Sequence, residues 1–469
     1  MGTLELLGDV ITAINSIVWG IPMLLLLVGT GIFFTILLRG LQFRRLPLAF
    51  STLVNSFFTQ KTKLEGDIPA FQALSTALSA TLGTGNLAGV ATAIVAGGPG
   101  ALFWMWITAV VGMVTKYSEA VLALKFRTKN PDGSMSGGPM YYIDKGLGVK
   151  WLAGIFALFG MIASFGIGSM AQANSIMLAV TSLVQHEGSI HLPVIGEILT
   201  LSFTIGLALV LVTALVIFGG IKKIGKVTSV IIPFLAFFYV TGGLIVLLMN
   251  YHRIPDTFFM VIKYAFTPYA LSGGVIGYAV SEAVRYGMAR GVFSNEAGLG
   301  SAPIAYAAAR SKTPVDQGLI AITEVFIDTL VFCSITGFVI LNSGLWDDGV
   351  YTSTTLTIAA FSESIGIFGV AIVTISAILL GYSTILGWSY YGEQCFDYLF
   401  GSRMKYLYKV LFLCAVLFGA ITKVELVWEI SDTFNGMMAI PNLIGLIGLS
   451  GVVVSETREY FKGSGSRNK

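Results

Sequence analysis

Two short glycine clusters interrupt segments that are otherwise apolar enough to lie in a membrane. The first cluster consists of Gly83, Thr84 and Gly85, within STALSATLGTGNLAGVATAIVAGGPG. The second cluster consists of Gly273, Gly274 and Gly277, within TPYALSGGVIGYAVSEAVRYG. Irregular backbone at membrane depth is tolerated only where protein or a water-filled cavity covers it. We therefore interpret both clusters as breaks in transmembrane helices that mark a binding site, in preference to simple close packing of helices through glycine.

A broken helix offers two kinds of ligand group at the same depth. The half-helix that follows the break directs free N–H groups and a positive dipole end at the gap, which suits a carboxylate. The preceding half presents carbonyl oxygens, which suit a small hard cation. We expect the N–H groups of Thr84, Gly85 and Asn86 to bind a substrate carboxylate, and the carbonyls near Ser79 and Leu82 to bind a cation.

Further polar groups occur singly in apolar segments. Ser383 and Thr384 in LLGYSTILGW add two adjacent hydroxyls that can serve as cation ligands, although membrane hydroxyls often bond only to the preceding turn. Gln172 and Asn174 either line the site or join helices. The sequence leaves both alternatives open.

Ionisable residues inside spans are costly and are functional candidates by default. Glu282 and Arg285 stand three residues apart and can pair on one helix face. We expect such pairs to hold the inner half-helix rather than to contact substrate. Lys116 and Glu119 have the same spacing, and we interpret them as structural or as part of an inner gate. Four further residues remain without an assigned role: Arg290, Glu296, Glu324 and Asp328.

The composition indicates an integral membrane protein. Of 469 residues, 55% are hydrophobic and 11% charged, and the mean hydropathy is +0.82, whereas charged residues make up about a quarter of soluble domains. No cleavable signal pattern precedes the first apolar run. The three cysteines show no metal-ligand spacing, and no nucleophile stands near a base in the spans, so we do not expect an enzyme.

Apolar runs and polar breaks predict an all-α protein with eleven transmembrane helices, here numbered spans 1 to 11. The spans cover residues 11–38, 68–97, 100–124, 151–184, 197–220, 227–250, 257–290, 316–343, 365–398, 406–426 and 427–453. Most of the 28 Lys and Arg residues fall in alternate connections, and Lys and Arg gather on the cytoplasmic side. The N-terminus is thus predicted outside and the C-terminus inside, in the plasma membrane.

The two breaks occupy corresponding places in two sets of five spans. If span 1 is set aside, they fall in the first span of each set, span 2 and span 7. Five is odd, so the sets cross the membrane in opposite senses, which is the inverted repeat of many secondary transporters. The predicted units are residues 1–67 with the extra helix and a cytoplasmic loop, 68–250 and 257–453 as repeats, 251–256 as an extracellular connection, and 454–469 as a cytoplasmic tail.

Four sequence stretches resemble the alanine or glycine:cation symporter family. They are GGPGALFWMWITAVVG at residues 97–112, GTGNLAGV, GGPMYYIDKGLG and RGVFSNEAGLGSAP. The similarity extends from about residue 68 to 453. It implies a LeuT-type fold and sodium-coupled uptake of alanine, glycine or a similarly small amino acid.

The resemblance also implies site residues. The substrate carboxylate would meet the N–H groups of Thr84 and Gly85, and Phe165 and Ile276 could line a small pocket. The implied sodium ligands are Ser79, Leu82, the carbonyl of Leu380, and the hydroxyls of Ser383 and Thr384. Some proton-driven relatives of the fold carry a Lys in the helix corresponding to span 6, which is absent from residues 227–249.

The predicted function is therefore a sodium:amino-acid symporter. A proton-coupled symporter is the main alternative, and an ion channel is a more distant one. Na⁺ is the expected coupling ion, and the expected partners are the amino acid and the lipid bilayer. Neither a nucleic acid nor an obligate protein partner is indicated.

Overall fold

The computed structural model describes residues 11, 13–15, 17–58, 64–181, 189–192, 196–267, 276–422 and 425–465. Most of them are helical. The α-helices are α1 Ile21–Leu37, α2 Leu41–Arg44, α3 Leu46–Phe58, α4 Ala70–Thr81, α5 Ala88–Gly97, α6 Gly100–Lys125, α7 Pro139–Tyr142, α8 Lys150–Phe165, α9 Ala171–Thr181, α10 Thr200–Ile217, α11 Gly220–Met249, α12 Ile254–Phe266, α13 Ile276–Asn295, α14 Ala302–Ala307, α15 Pro314–Val325, α16 Ser334–Ser343, α17 Ser353–Ile365, α18 Ile367–Phe400, α19 Lys405–Ile421, α20 Glu425–Gly448 and α21 Ser450–Gly465.

Strands are short and lie in connections. They are β1 Ile68–Pro69, β2 Thr128–Lys129, β3 Met135–Ser136, β4 Ser189–Leu192, β5 Gly196–Leu199 and β6 Ala309–Arg310. Parallel pairing of β1 with β6 joins the start of α4 to the connection after α14. Arg127 stabilises this junction, because its guanidinium donates hydrogen bonds to the carbonyls of Glu65, Ala307 and Ala309 at 2.8–3.2 Å.

Six helical stretches of the described chain are long and apolar enough to cross a membrane, and up to eight if each of two bent pairs is one span. The bent pairs correspond to predicted spans 2 and 11. Predicted spans 1 and 5 appear as the apolar helices α1 and α10, of 17 and 18 residues. Predicted span 7 appears as α12 and α13, and residues 268–275 between them lie outside the described part. The structure thus supports a multi-span helical membrane protein, and the number eleven and the repeat layout stay predictions.

Several boundaries differ from the prediction. Residues 353–365 form the separate helix α17 ahead of span 9, where Gly366 adopts φ 57° and turns the chain into α18. Residues 450–465, expected mainly as a tail, continue as α21 at 56° to the helix before it. The amphipathic α3 lies in a segment predicted only as a loop.

Small residues let the central helices approach closely. A Cβ added to Gly100 would lie 2.1 Å from the carbonyl oxygen of Tyr264, and one added to Gly291 would lie 2.2 Å from Thr108 Oγ1. Both contacts bring α6 against the helices on either side of the second predicted break. Lipid tails supply no hydrophobic force between helices, so close packing of this kind contributes much of their association. The α6 helix is accordingly one of the most buried elements.

Candidate functional site

The first predicted break is present where the glycine cluster placed it. Helix α4 ends at Thr81, residues 84–86 form one 3₁₀ turn, and α5 begins at Ala88. The two helical parts are bent by 60°. Leu82 has extended backbone angles, φ −70° and ψ 90°, which carry the chain out of α4.

The break frees specific backbone groups. In a continuous helix the Gly83 N–H would bond to the Ser79 carbonyl, but here it donates to Asn86 Oδ1 at 3.0 Å. The N–H groups of Thr84 and Gly85 donate to no acceptor within the described part of the chain. Two adjacent N–H donors and the carbonyl of Ser79 are therefore available to a ligand.

Asn86 connects the break to the helix that corresponds to span 8. Its amide nitrogen donates to Asp328 Oδ1 at 2.6 Å and to Ser294 Oγ at 3.1 Å. The second carboxylate oxygen of Asp328 accepts from Ser294 and Thr329 at 2.9 and 2.7 Å. All four side chains are buried. The backbone N–H of Asn86, which was predicted to bind the substrate carboxylate with those of Thr84 and Gly85, donates to the Gly83 carbonyl at 3.2 Å in this structure. Substrate contact by Asn86 stays a prediction.

Hydroxyls of α18 face the first half of the break. Thr384 Oγ1 lies 3.5 Å from the carbonyl oxygen of Leu82 and 2.9 Å from that of Leu380. Ser383 Oγ also bonds the Leu380 carbonyl, at 2.9 Å. Both hydroxyls therefore make the bond to the preceding turn that was the alternative to ligation. Thr384 nevertheless meets the break directly, because a Cβ on Gly83 would lie 3.0 Å from its oxygen.

Ser79 lies at a close contact between α4 and α18. Its hydroxyl donates to the Thr76 carbonyl at 2.7 Å, and a Cβ on Gly387 would lie 2.7 Å from the same oxygen. Glycine at this position of α18 thus permits the contact between the two helices. Oxygens of Ser79, Leu82 and Thr384 are consequently gathered on one side of the break.

A small cavity of about 20 Å³ adjoins the break, enough for one water-sized group. Its lining includes the predicted residues Thr84, Gly85, Gln172 and Thr384, with Ala80, Thr81 and Gly83. It also includes four residues that the sequence did not assign to the site: Ile167, Phe293, Glu296 and Asn435. Phe293 and Glu296 lie in RGVFSNEAGLGSAP, so that motif contains a signal by which they could have been found.

Unpaired oxygens of this lining are available to a ligand. Gln172 donates through Nε2 to the Ile167 carbonyl at 3.1 Å, whereas its Oε1 has no hydrogen-bond partner among the described residues. The Oδ1 atom of Asn435 is likewise buried and unpartnered in the part of the chain the structure covers. Glu296 follows α13 with a left-handed φ of 53°, a strained conformation of the kind that clusters at functional sites.

Other predicted site residues lie elsewhere. The Phe165 ring packs on Tyr408 and Phe412, with centroids 5.3 and 6.3 Å away, and Ile167 takes the place beside the cavity. The five residues after Phe165 form a π-helical segment, which changes the rotation of the side chains. Asn174 joins helices through the carbonyls of Gly419 and Thr422. Substrate contact by Phe165 remains a prediction.

The second predicted break is not described. Gly273 and Gly274 lie outside the described residues. Ile276 and Gly277 are the first residues of α13, and their surroundings also lie outside the described part. Their predicted contacts with substrate therefore remain untested.

Charged residues divide into a partly exposed pair and a buried group. Glu282 and Arg285 pair at 2.7 Å, as their spacing predicted. Lys116 instead pairs across helices with Glu324 at 3.3 Å, and both side chains are fully buried. Glu119 accepts from the Asn442 amide at 2.7 Å.

The chain matches the model of the sodium:alanine symporter family over residues 4–469. The chain belongs to this family. The matched range includes the break, the α18 hydroxyls and the buried charged group. The resemblance seen in the glycine-rich motifs is thereby confirmed.

Two relatives of the symporter are similar over nearly their whole length. The sodium/alanine symporter AgcS of Methanococcus maripaludis is 49% identical over 96% of this chain and 97% of its own. An uncharacterised transporter of Haemophilus influenzae is 46% identical over 97% of this chain and 96% of its own.

A solved structure supports the fold. The crystal structure of MhsT in complex with L-phenylalanine superposes with a TM-score of 0.57, covering 83% of this symporter and 98% of MhsT at 13% identity. This structural similarity confirms the LeuT-type fold that the resemblance implied.

Proposed function

We propose that this symporter imports small neutral amino acids, alanine or glycine, together with Na⁺ by alternating access. The observation that carries the proposal is the break after Leu82, which leaves the N–H groups of Thr84 and Gly85 without an acceptor in the described chain, beside a small cavity that both residues line. The family membership supports symport of an amino acid with a cation.

The substrate carboxylate binds the N–H groups of Thr84 and Gly85. These donors are unpaired within the described chain and lie in the 3₁₀ turn just before α5, whose N-terminal dipole end adds positive potential. Gly85 permits a close approach, because it presents no side chain to a ligand. The side of the break that faces α13 is closed by the Phe293 ring, 3.4 Å from a Cβ built on Gly85.

The substrate ammonium faces the unpaired oxygens on the other side of the cavity. The nearest candidates are Gln172 Oε1, Asn435 Oδ1 and the Glu296 carboxylate. An ammonium group donates three hydrogen bonds and so can satisfy the two orphaned amide oxygens. The cavity of about 20 Å³ is smaller than an amino acid, so the substrate binds in a conformation that widens it, and the lining by Ile167 and Phe293 then favours a hydrogen or methyl side chain over a larger one.

Sodium binds where carbonyls of α4 meet hydroxyls of α18. The donor set fits a hard cation, since it consists of oxygens only. It comprises the carbonyls of Ser79, Leu82 and Leu380 with the hydroxyls of Ser383 and Thr384. Ion and substrate would draw α4, α5 and α18 together from opposite sides of the break. Each then strengthens binding of the other, typically by about 1–3 kcal/mol.

The proposal includes the predicted topology. Eleven spans with the N-terminus outside, a 5+5 inverted repeat and broken helices in spans 2 and 7 make α4–α5 one half of a symmetric pair. In such transporters the two breaks meet at the midplane, and rocking of one repeat against the other opens the site to each side in turn.

Uptake of labelled alanine into proteoliposomes tests the function. We expect saturable uptake that requires an inward sodium gradient, with glycine competing and phenylalanine not competing. Uptake that is unchanged without sodium and is driven by a pH gradient would replace Na⁺ by H⁺ as the coupling ion. A non-saturable sodium current without alanine movement would instead indicate a channel and reject the proposal.

A further inference from the structure

The group around Lys116 contains more buried negative than positive charge. Lys116, Glu119, Glu296 and Glu324 are all at most 4% exposed. Glu119 and Glu296 both lie within electrostatic range of the Lys116 ammonium, in addition to its partner Glu324. One ammonium therefore faces three carboxyl groups. A buried charge without a partner costs several kcal/mol, so an uncompensated carboxyl group is neutralised instead.

Contacts identify which carboxyl group lacks compensation. Glu324 is the ion-pair partner of Lys116 and also accepts a hydrogen bond from the Tyr306 hydroxyl. Glu296 accepts from Ser301 and lines the cavity at the break, so water or a ligand cation can reach it. Glu119 has neither an ammonium partner nor access to the cavity.

The second oxygen of Glu119 is orphaned. Its Oε1 accepts from Asn442 at 2.7 Å, whereas its Oε2 is buried without a hydrogen-bond partner among the described residues. A second orphan lies in the group around Lys116. The Tyr391 hydroxyl from α18 is buried without a partner in the described chain, and the charged or titratable groups near it are Glu296, Glu324, Tyr390 and Glu119.

We propose that Glu119 binds a proton, taken from bulk water, and that this neutral carboxyl group completes the Lys116 group. The titratable and charged groups near it on the packed elements are Lys116, Tyr142, Tyr306, Glu324 and Tyr391, and Glu296 lies near the same Lys116 ammonium. Lys116 neutralises Glu324. The proton neutralises Glu119, the remaining carboxyl group that has no access to water.

The proton site is closed by helices that belong to different parts of the fold. Asn442 of α20 covers Glu119 and also donates to the Gly298 carbonyl at 2.9 Å, in the segment after α13. A conformation that separates α20 from α6 would hydrate Glu119 and release the proton. Raising the pH therefore favours such a conformation, and lowering it favours the closed one.

Infrared difference spectroscopy of the purified protein tests the site without transport. We expect the wild-type minus Glu119→Gln spectrum to contain the band of a protonated carboxyl group. The matched Glu324→Gln variant should remove a carboxylate band instead. A carboxylate band lost in Glu119→Gln, or a protonated band that only Glu296→Gln removes, would overturn the assignment.

Stability of the same variants gives a second readout. Glutamine is close in shape to protonated glutamic acid and keeps an oxygen for Asn442, so Glu119→Gln should retain the wild-type melting temperature. Glu324→Gln, which takes the partner from Lys116, should lower it clearly more. A Glu119→Gln protein that fails to fold would contradict a neutral Glu119.

A transport measurement extends the inference and rests on the proposed function. Sodium-driven alanine uptake should fall as the pH rises in the wild type and depend less on alkaline pH in Glu119→Gln. Parallel pH profiles for both proteins would show that Glu119 exchanges no proton during transport, while the infrared result would stand on its own.

Discussion

The break after Leu82 and the group around Lys116 are both polar, buried and near one another, yet they are built in opposite ways. At the break, backbone N–H groups of Thr84 and Gly85 and side-chain oxygens of Gln172 and Asn435 have no partner in the described chain. Around Lys116, opposite charges meet directly, and each of the three carboxyl groups accepts one hydrogen bond from a hydroxyl or amide group.

The difference separates binding from support. Neutral dipoles can be left unsatisfied in a protein interior at a cost of about 1–3 kcal/mol each, which a ligand then recovers. Full charges cannot be left in this way, because an unpaired buried ion costs much more. A reusable site in a membrane is therefore made of backbone and amide groups, and the ion pair beside it maintains the helices that carry them.

Removing the ammonium should have the largest effect. Lys116→Met leaves Glu324 buried without its partner and should cost about 3–5 kcal/mol of stability, measured by thermal unfolding in detergent. The double variant Lys116→Met with Glu324→Gln removes both charges and should recover much of the loss. A Lys116→Met variant as stable as the wild type would show that the Lys116–Glu324 ion pair does not stabilise the fold.

Asn86 tests the link between the break and Asp328. Asn86→Ala removes the acceptor for the Gly83 N–H and a donor to Asp328, at about 1–3 kcal/mol. The apparent KM for alanine should rise about tenfold or more. Asn174→Ala is the matched control, since Asn174 only joins helices. Equal KM values in both variants would place Asn86 outside the binding site.

The hydroxyls of α18 should affect sodium more than substrate. Replacing Ser383 and Thr384 together by Ala should raise the sodium concentration for half-maximal uptake roughly two- to tenfold, at about 0.5–1.5 kcal/mol per bond. Ser389→Ala removes a buried hydroxyl of the same helix that bonds only its preceding turn, so it should leave the sodium dependence unchanged. An unaltered sodium curve in the double variant would exclude these ligands.

The partly exposed pair of Glu282 and Arg285 should have the smallest effect on stability and uptake. Glu282→Gln breaks the bond to Arg285, whose side chain is 45% exposed, and exposed pairs contribute about 0.5 kcal/mol or less. Melting temperature and uptake should both stay close to wild type. A loss comparable to that of Lys116→Met would remove the contrast between exposed and buried charge in this protein.

Local chemistry in the sequence predicted the first break and the groups it frees. The glycines at 83 and 85 lie in an apolar segment and have a matching cluster in span 7, and this pattern favoured a break over close packing of a continuous helix without tertiary information. The outcome for Glu282 and Arg285 was similarly local, because residues three apart share a helix face. Apolar segments long enough to span a bilayer indicated a membrane protein, and the distribution of Lys and Arg predicted its orientation. Both signals can be read along the sequence without knowing which helices are neighbours.

Only the tertiary structure decided which distant side chains meet. Asn86 contacts Asp328, 242 residues away. Lys116 pairs with Glu324 rather than with Glu119, which is only three residues away in the sequence. Such pairing depends on the rotation of each helix about its axis, and one extra residue per turn in a π segment rotates the downstream residues by about 100°. The π segment after Phe165 turns Ile167 and Gln172 to the cavity and leaves Phe165 against Tyr408. Periodicity along one helix contains no information about that rotation relative to its neighbours, so the partners of the site had to come from the packed fold.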